Sequence, residues 1–174
     1  MENIDRLKCS LSLATERLLN QQVGMEGRSS AHYLAMASWC DTQGYKHAAA
    51  FLYHHAEEER KHLLKLFHYI NDAGGHAIHP EITEIQHTFK AFRQVFELAL
   101  VHEVKVTQSI HHLVDHCFAV KDFSTFNFLQ WFVAEQIEEE ILARRAVELF
   151  DVIGEEGIGC YTIDKALGAL KDSA

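Results

Sequence analysis

The stretch His54–His62, "HHAEEERKH", holds three consecutive glutamates and a histidine three residues beyond the last of them. On an α-helix successive residues turn by about 100°, so Glu57, Glu58 and Glu59 cannot all face one way. Either the run is a solvated face, or one carboxylate points inward while its neighbours stay in water. The flanking residues separate these readings. Steps of three and four through the segment give Leu52, Ala56, Glu59, Leu63, Leu66 and Ile70, the stripe by which a helix faces a bundle. Glu59 is therefore predicted to face the core, Glu57 to face water and Glu58 to sit between. His62 follows Glu59 on the same face at the i, i+3 spacing.

Helical periodicity extends through most of the chain. Pro80 is the single proline, β-branched alternation is scarce, and the segments between glycine clusters read as helices. They are predicted at Ser10 to Thr42, Tyr45 to Ala73, Ile82 to Val120 and Phe123 to Ile153, with a short fifth from Thr162 to Leu170 after "GEEGIG". "DTQG" and "KDFS" are short enough to join antiparallel neighbours, whereas "GGHAIHPE" (Gly74–Glu81) is not helical and exceeds what a hairpin needs. The longer link predicts a crossover that leaves helices two and three parallel. The fold class is all-α. A single domain over residues 1–174 contains a four-helix bundle (about 10–153), a long crossover between helices two and three, and a short C-terminal helix (about 162–170).

Bulk properties exclude several functions. The 174-residue chain has 25 acidic and 16 basic residues, a formal charge of −9, and no basic stripe of the kind phosphate backbones require. Nucleic acid is not an expected partner; cations are. "MENIDRLKCS" lacks the basic region and apolar run of a secretory leader, and no apolar stretch is long enough to span a bilayer, so a cytoplasmic protein without membrane contact is expected. Cys9, Cys40, Cys117 and Cys160 are too scattered for a C-x-x-C metal site and read as reduced, mostly buried thiols.

The other seams repeat the pattern around Glu59. The first helix gives Leu19, Val23, Glu26, Ser30, Tyr33, Ala37 and Cys40; the third gives Phe89, Phe92, Phe96, Ala99, Glu103, Val106, Ile110, Leu113 and Cys117. The fourth gives Phe128, Phe132, Glu135, Glu139, Leu142, Ala146, Leu149 and Ile153. Every bundle helix thus carries glutamate near the middle of its core stripe. An isolated buried carboxylate costs about several kcal/mol, and none of the seams contains a lysine or arginine to offset it. A pair of divalent or trivalent cations bound by hard oxygen ligands would neutralise the cluster, with His62 adding a nitrogen.

On these residues the chain resembles the bacterial non-haem ferritins. The resemblance runs through "EGRSSAHYLAMASWC", "AAAFLYHHAEEERKH", "HEVKVTQSI", "TFNFLQWFVAEQIEEE" and "YTIDKAL". It implies that Glu26, Glu59 and His62 hold one iron, that Glu59 bridges to a second held by Glu103 and Glu139, and that Gln136 lies beside the second. A third iron would involve Glu58, Glu135, Glu138 and Glu139. Tyr33 and Trp131 fall where the family keeps aromatic residues near the centre, Tyr33 reading equally well as a core tyrosine hydrogen-bonded to a ligand carboxylate. The implied activity is oxidation of Fe(II) by O₂ or H₂O₂ at the paired irons, with ferric mineral stored in a shell of twenty-four subunits. Haem is not expected, because Gln136-x-x-Glu139 and Arg60 stand where bacterioferritins have a second E-x-x-H and a haem-binding methionine.

Two further readings compete with storage: a ferritin-fold di-iron oxidase or peroxide-consuming stress protein that retains its irons, and an acidic scaffold with a vestigial site. The fifth helix favours storage if Ile163, Ala166, Leu167 and Leu170 need a shell axis to cover them. Gly24 and Gly27, each costing about 1 kcal/mol relative to alanine, are expected to weaken the first helix or to permit close packing beside Glu26.

Overall fold

Ser12 sets the start of the first helix. Its backbone is extended (φ −70°, ψ 151°) and its side chain accepts the Thr15 N–H at 3.0 Å, capping α1 (Leu13–Gln43). The computed structural model describes residues 11–79 and 81–170, so the expected start at Ser10, and also Cys9, lie outside the described residues. At the far end Gly44 adopts φ 92°, and the Tyr45 N–H reaches back to the Cys40 carbonyl at 2.9 Å. This is the left-handed helix stop that glycine enters without a Cβ penalty. The chain reverses into α2 (Lys46–Asp72), which lies antiparallel to α1.

The segment after α2 returns along the whole bundle. Asn20 on α1 donates to the His76 carbonyl at 3.0 Å and accepts the Ile78 N–H at 2.7 Å. His79 and Ile82 then pass Gly27, where an added Cβ would lie 3.7 Å from each and only 3.1 Å from Leu63 Cδ1 on α2. Phe89 packs edge-on against Trp39, near the end of α1. The crossover is therefore present. α1 runs unbroken through Gly24 and Gly27, and Gly27 serves close packing without a bulge.

The crossover corrects the predicted start of the third helix. α3 spans Phe92–Ala119, ten residues shorter at its beginning than periodicity indicates. Residues 82–91 lie extended on α1; Glu84 has a positive φ of 62°, and Ala91 is fully extended at φ −155°, ψ 157°. Phe89 shows helical periodicity because it is buried, although what buries it is the crossover's contact with Trp39. α3 begins where Phe92 stacks on Tyr45, 3.7 Å between ring centroids, at the α1–α2 turn. α2 and α3 consequently start at the same end and run parallel. α4 (Phe123–Ile153) follows a tight turn capped by Asp122, whose carboxylate accepts the Thr125 N–H at 3.0 Å.

α5 (Gly159–Leu170) starts earlier than expected and folds back on its own subunit. Ile163 and Leu167 are fully buried in the cluster formed with α1, α2, α3 and α4, and Ala166 and Leu170 pack against that cluster. Covering these residues needs no symmetry axis, so they give no support to shell formation. α5 also supplies something that α2 lacks. Tyr45 makes no side-chain cap, and the carboxylate of Asp164 accepts the Ala48 N–H at 2.8 Å. A cap of this kind stabilises by about 1 kcal/mol.

Two apolar clusters fill the bundle. One contains Tyr33, Leu52, Phe96, Ala99 and Phe150, the other Val23, Leu63, Leu66, Val106, Ile110 and Phe132. Between them lies a polar layer. Cys40 and Cys117 are buried free thiols, while Cys160 is half-buried. No helix among the described residues is long and apolar enough to cross a membrane.

Candidate metal centre

The polar layer contains one deeply buried glutamate from each bundle helix: Glu26, Glu59, Glu103 and Glu139, none more than 5% exposed. His55 and His62 from α2, Gln22 from α1 and Gln136 from α4 complete it. Glu57 faces water and Glu58 is half-buried, as expected from their helical phase. On α4 the inward path runs through Leu129, Phe132, Gln136 and Glu139, so Gln136 occupies the core position that periodicity assigns to Glu135. Glu135 lies at the edge, with 27% of its side chain exposed, and Glu138 is exposed. Phe128, another displaced seam residue, stacks on the rim against Tyr69 with 3.8 Å between centroids, and Ala143 is buried in place of Leu142.

The hydrogen bonds leave much of this layer unsatisfied. Glu26 Oε1 accepts from Gln22 Nε2 at 2.7 Å, and Ser109 donates to Gln22 Oε1 at 2.6 Å, which orients the amide. Tyr33 donates to Glu103 Oε1 at 2.5 Å. The Thr107 hydroxyl lies 3.1 Å from the Glu103 carbonyl and 3.0 Å from Gln136 Oε1, tying Gln136 to α3. Glu26 Oε2, both Glu59 oxygens, Glu103 Oε2, Glu139 Oε2 and His62 Nδ1 are buried without a hydrogen-bond partner. Each such atom costs about 1–3 kcal/mol, and among the described residues no buried lysine or arginine offsets them. A set of convergent, orphaned oxygens with an imidazole nitrogen fits hard or borderline divalent cations.

Electrostatics agree with the geometry. Burial pushes the Glu59 carboxyl well above its ordinary range, reinforced by Glu26 and Glu103. Burial likewise raises Glu26 against the pull of its hydrogen bonds, and raises Glu103 to about 8 with help from Glu139. Burial, then the surrounding carboxylates, holds the Tyr33 phenol protonated and therefore a donor. Glu139 differs. Burial raises it too, but His55, 3.1 Å away, together with His62 and His54 leaves it below the usual value.

Three groups each bring one ligand atom per residue within 4.8 Å of the others: Glu26, Glu59 and His62; His62, Glu135 and Glu139; and His55, Glu58 and Glu139. The first coincides with the ligand set expected for one iron. The other expectations are met less closely. Glu103 and Glu138 are absent from all three, although Glu103 keeps one buried oxygen, Oε2, without a partner. His55 was missed by the seam tracing. It sits three residues before Glu58 and four before Glu59, with its ring between Tyr33 (5.3 Å, near-parallel) and Phe51 (4.3 Å, edge-on). Because the buried stripe is wider than a strict three-four walk, it includes this flanking position. Trp131 is 40% exposed, its ring 5.4 Å from His62 and beneath the Lys65 ammonium, at the edge of the layer and not its centre.

Residues 16–151 match the family model for the ferritin-like domain. The chain belongs to the ferritin family. It is 43% identical over 164 residues to a probable bacterial non-haem ferritin-like protein of Haemophilus influenzae, covering 94% of this chain and 99% of that one. It is also 43% identical over 155 residues to the bacterial non-haem ferritin of Campylobacter jejuni, covering 89% and 93%. Among solved structures, the open-pore ferritin of the archaeon Archaeoglobus fulgidus superposes with a TM-score of 0.89 at 37% identity, covering 92% of this chain and 98% of the other. In the present chain Gln22, itself oriented by Ser109, fixes the Glu26 carboxylate from behind. In Gln22→Leu, Glu26 loses its donor, and titration calorimetry of the metal-free protein with Zn(II) should show affinity reduced by about 10- to 100-fold with unchanged oligomer size.

Proposed function

We propose that this ferritin oxidises Fe(II) at the buried carboxylate layer and stores the ferric product as mineral inside a shell of twenty-four subunits in the cytoplasm. The observation that carries the reading is the set of buried oxygens without hydrogen-bond partners on four separate helices, a cluster that bound cations would neutralise. Glu26, Glu59 and His62 hold one iron, and Glu59 shares its second oxygen with another iron held by Glu103 and Glu139. Gln136 borders the second iron, and Tyr33 keeps Glu103 in place through its short hydrogen bond. Each Fe(II) gives up one electron, and one O₂ takes both with two protons to leave as H₂O₂; peroxide is the alternative oxidant. An anionic oxygen-rich site stabilises Fe(III) over Fe(II). Carboxylates with raised proton affinity release those protons as Fe(II) binds, so loading is coupled to pH.

The third iron is held by Glu58, Glu135 and Glu139 with His55 as its nitrogen ligand, and Glu138 lies on the path outward. The cluster of His55, Glu58 and Glu139 favours this arrangement. Anaerobic loading with a large Fe(II) excess, then air, then sizing chromatography tests the proposal. Hundreds of irons per particle, co-eluting with a shell-sized assembly, are expected. Uptake that stops at two or three per subunit overturns storage and leaves a ferritin-fold oxidase.

A further inference from the structure

A groove of about 920 Å³ lies between α1, the crossover and α3, outside the carboxylate layer. That volume suits a small organic molecule. Three of its lining cations, Arg17, Arg28 and Lys105, have no carboxylate within ion-pair distance among the described residues. In a chain with 25 acidic and 16 basic residues, a cavity lined by three such cations and only two carboxylates, Glu16 and Glu81, reverses the overall charge balance.

The two cations nearest the α1–α3 contact act on a pair of half-buried histidines, His32 and His102, whose rings are 5.3 Å apart. Burial, then Arg28 and Lys105, lowers His32. Arg28 and Lys105 make this the cationic end of the groove. The other end holds the acids: Glu16, which accepts the His76 N–H at 3.2 Å, and Glu81 on the crossover. Met25, Gly24 and Ile78 supply apolar surface between and beyond these ends.

We propose that this groove binds an organic oxyanion, its carboxylate or phosphate head at Arg28 and Lys105 beside His32, and its apolar body along Gly24, Met25 and Ile78. His102 Nε2 is held by Ser29 Oγ at 2.6 Å and stays with the protein. The arrangement follows the general design of small-molecule sites, mostly apolar lining with a few convergent polar groups. Guanidinium and ammonium donors make charge-assisted hydrogen bonds to either head group. The metal centre plays no part in it.

Titration calorimetry of the metal-free assembled protein uses four probes: phenyl phosphate, benzoate, phenol and inorganic phosphate. One site per subunit is expected for phenyl phosphate, benzoate or both, and the pair identifies which head group is preferred. Phenol and inorganic phosphate should each bind at least about tenfold more weakly. Arg28→Gln combined with Lys105→Gln should weaken the bound probe at least about tenfold, while Arg144→Gln leaves it unchanged. Added salt should weaken binding to the unaltered protein, a readout that needs no variant. The proposal is overturned if neither aromatic anion binds, if phenol binds as well, if inorganic phosphate binds as well, or if binding is indifferent to both the double substitution and salt.

Discussion

Glu59→Ala is expected to reduce the initial rate of Fe(II) oxidation at least about a hundredfold, measured by stopped-flow absorbance of the ferric product, with the assembly eluting at its normal size. Glu59 is the shared element of the site, since both its oxygens are buried and neither has a hydrogen-bond partner. Removing it withdraws a ligand from the group with Glu26 and His62 and, on the proposed reading, from the second iron as well. Assembly should survive because the same carboxylate destabilises the metal-free subunit. Glu59→Leu, close in volume but uncharged, should therefore melt higher than the unaltered protein when both are free of metal. Normal oxidation in Glu59→Ala would remove Glu59 from the chemistry.

The metal-free protein should lose thermal stability as pH rises from about 5 to about 8. Glu103 is raised from the usual 4.5 to about 8, and Glu26 and Glu59 are raised in the same direction, all chiefly by burial. For a carboxyl with a raised folded value, the native state holds its proton more tightly than the unfolded chain. Its stabilisation is complete below the unfolded value and is lost as pH climbs to the folded one. The shift at Glu103 alone corresponds to the order of a few kcal/mol across that window. Glu139 is shifted the other way, so its effect falls below about pH 4.5, outside the window. Saturating Zn(II) should reverse the trend, because metal takes the place of the protons. Scanning calorimetry at several pH values, with and without metal, checks both signs. A flat or rising melting temperature in the metal-free protein would contradict the burial of protonated carboxyls described above.

Much of the site was legible because a carboxylate in an apolar stripe is a strong anomaly. Glu26, Glu59, Glu103, Glu139 and His62 all occupy the inward positions assigned from spacing alone. The errors arose where apolar residues do not define a single face. On α4, Phe126 and Phe128 flank Leu129, and periodicity could be threaded through either side; the path chosen brought Glu135 inward in place of Gln136. His55 was passed over for the same geometric reason, since it lies beside the narrow seam but inside the wider buried stripe. The crossover was legible as a connection but not as a surface. Residues 82–91 look helical because one side of them is buried, and nothing local records that α1, some fifty residues earlier, provides the cover. The fifth helix misled in the opposite sense. Its apolar stripe was real, but sequence alone does not say whether the partner is another subunit or the same one.

The Asp164–Ala48 hydrogen bond has a consequence for biosynthesis. The first turn of α2 and the residue that caps it are 116 positions apart in the chain. At ordinary translation rates of about 5–20 residues per second, the cap emerges from the ribosome several seconds after the helix it completes. Throughout that interval α2 carries an open amide, and the cluster around Leu52 and Phe96 lacks Ile163 and Leu167. A nascent chain can form the hairpin of α1 and α2 early, yet this end of the bundle closes only once α5 has docked. Chains released before then carry an unfinished apolar end, a feature by which quality control can tell them from finished subunits.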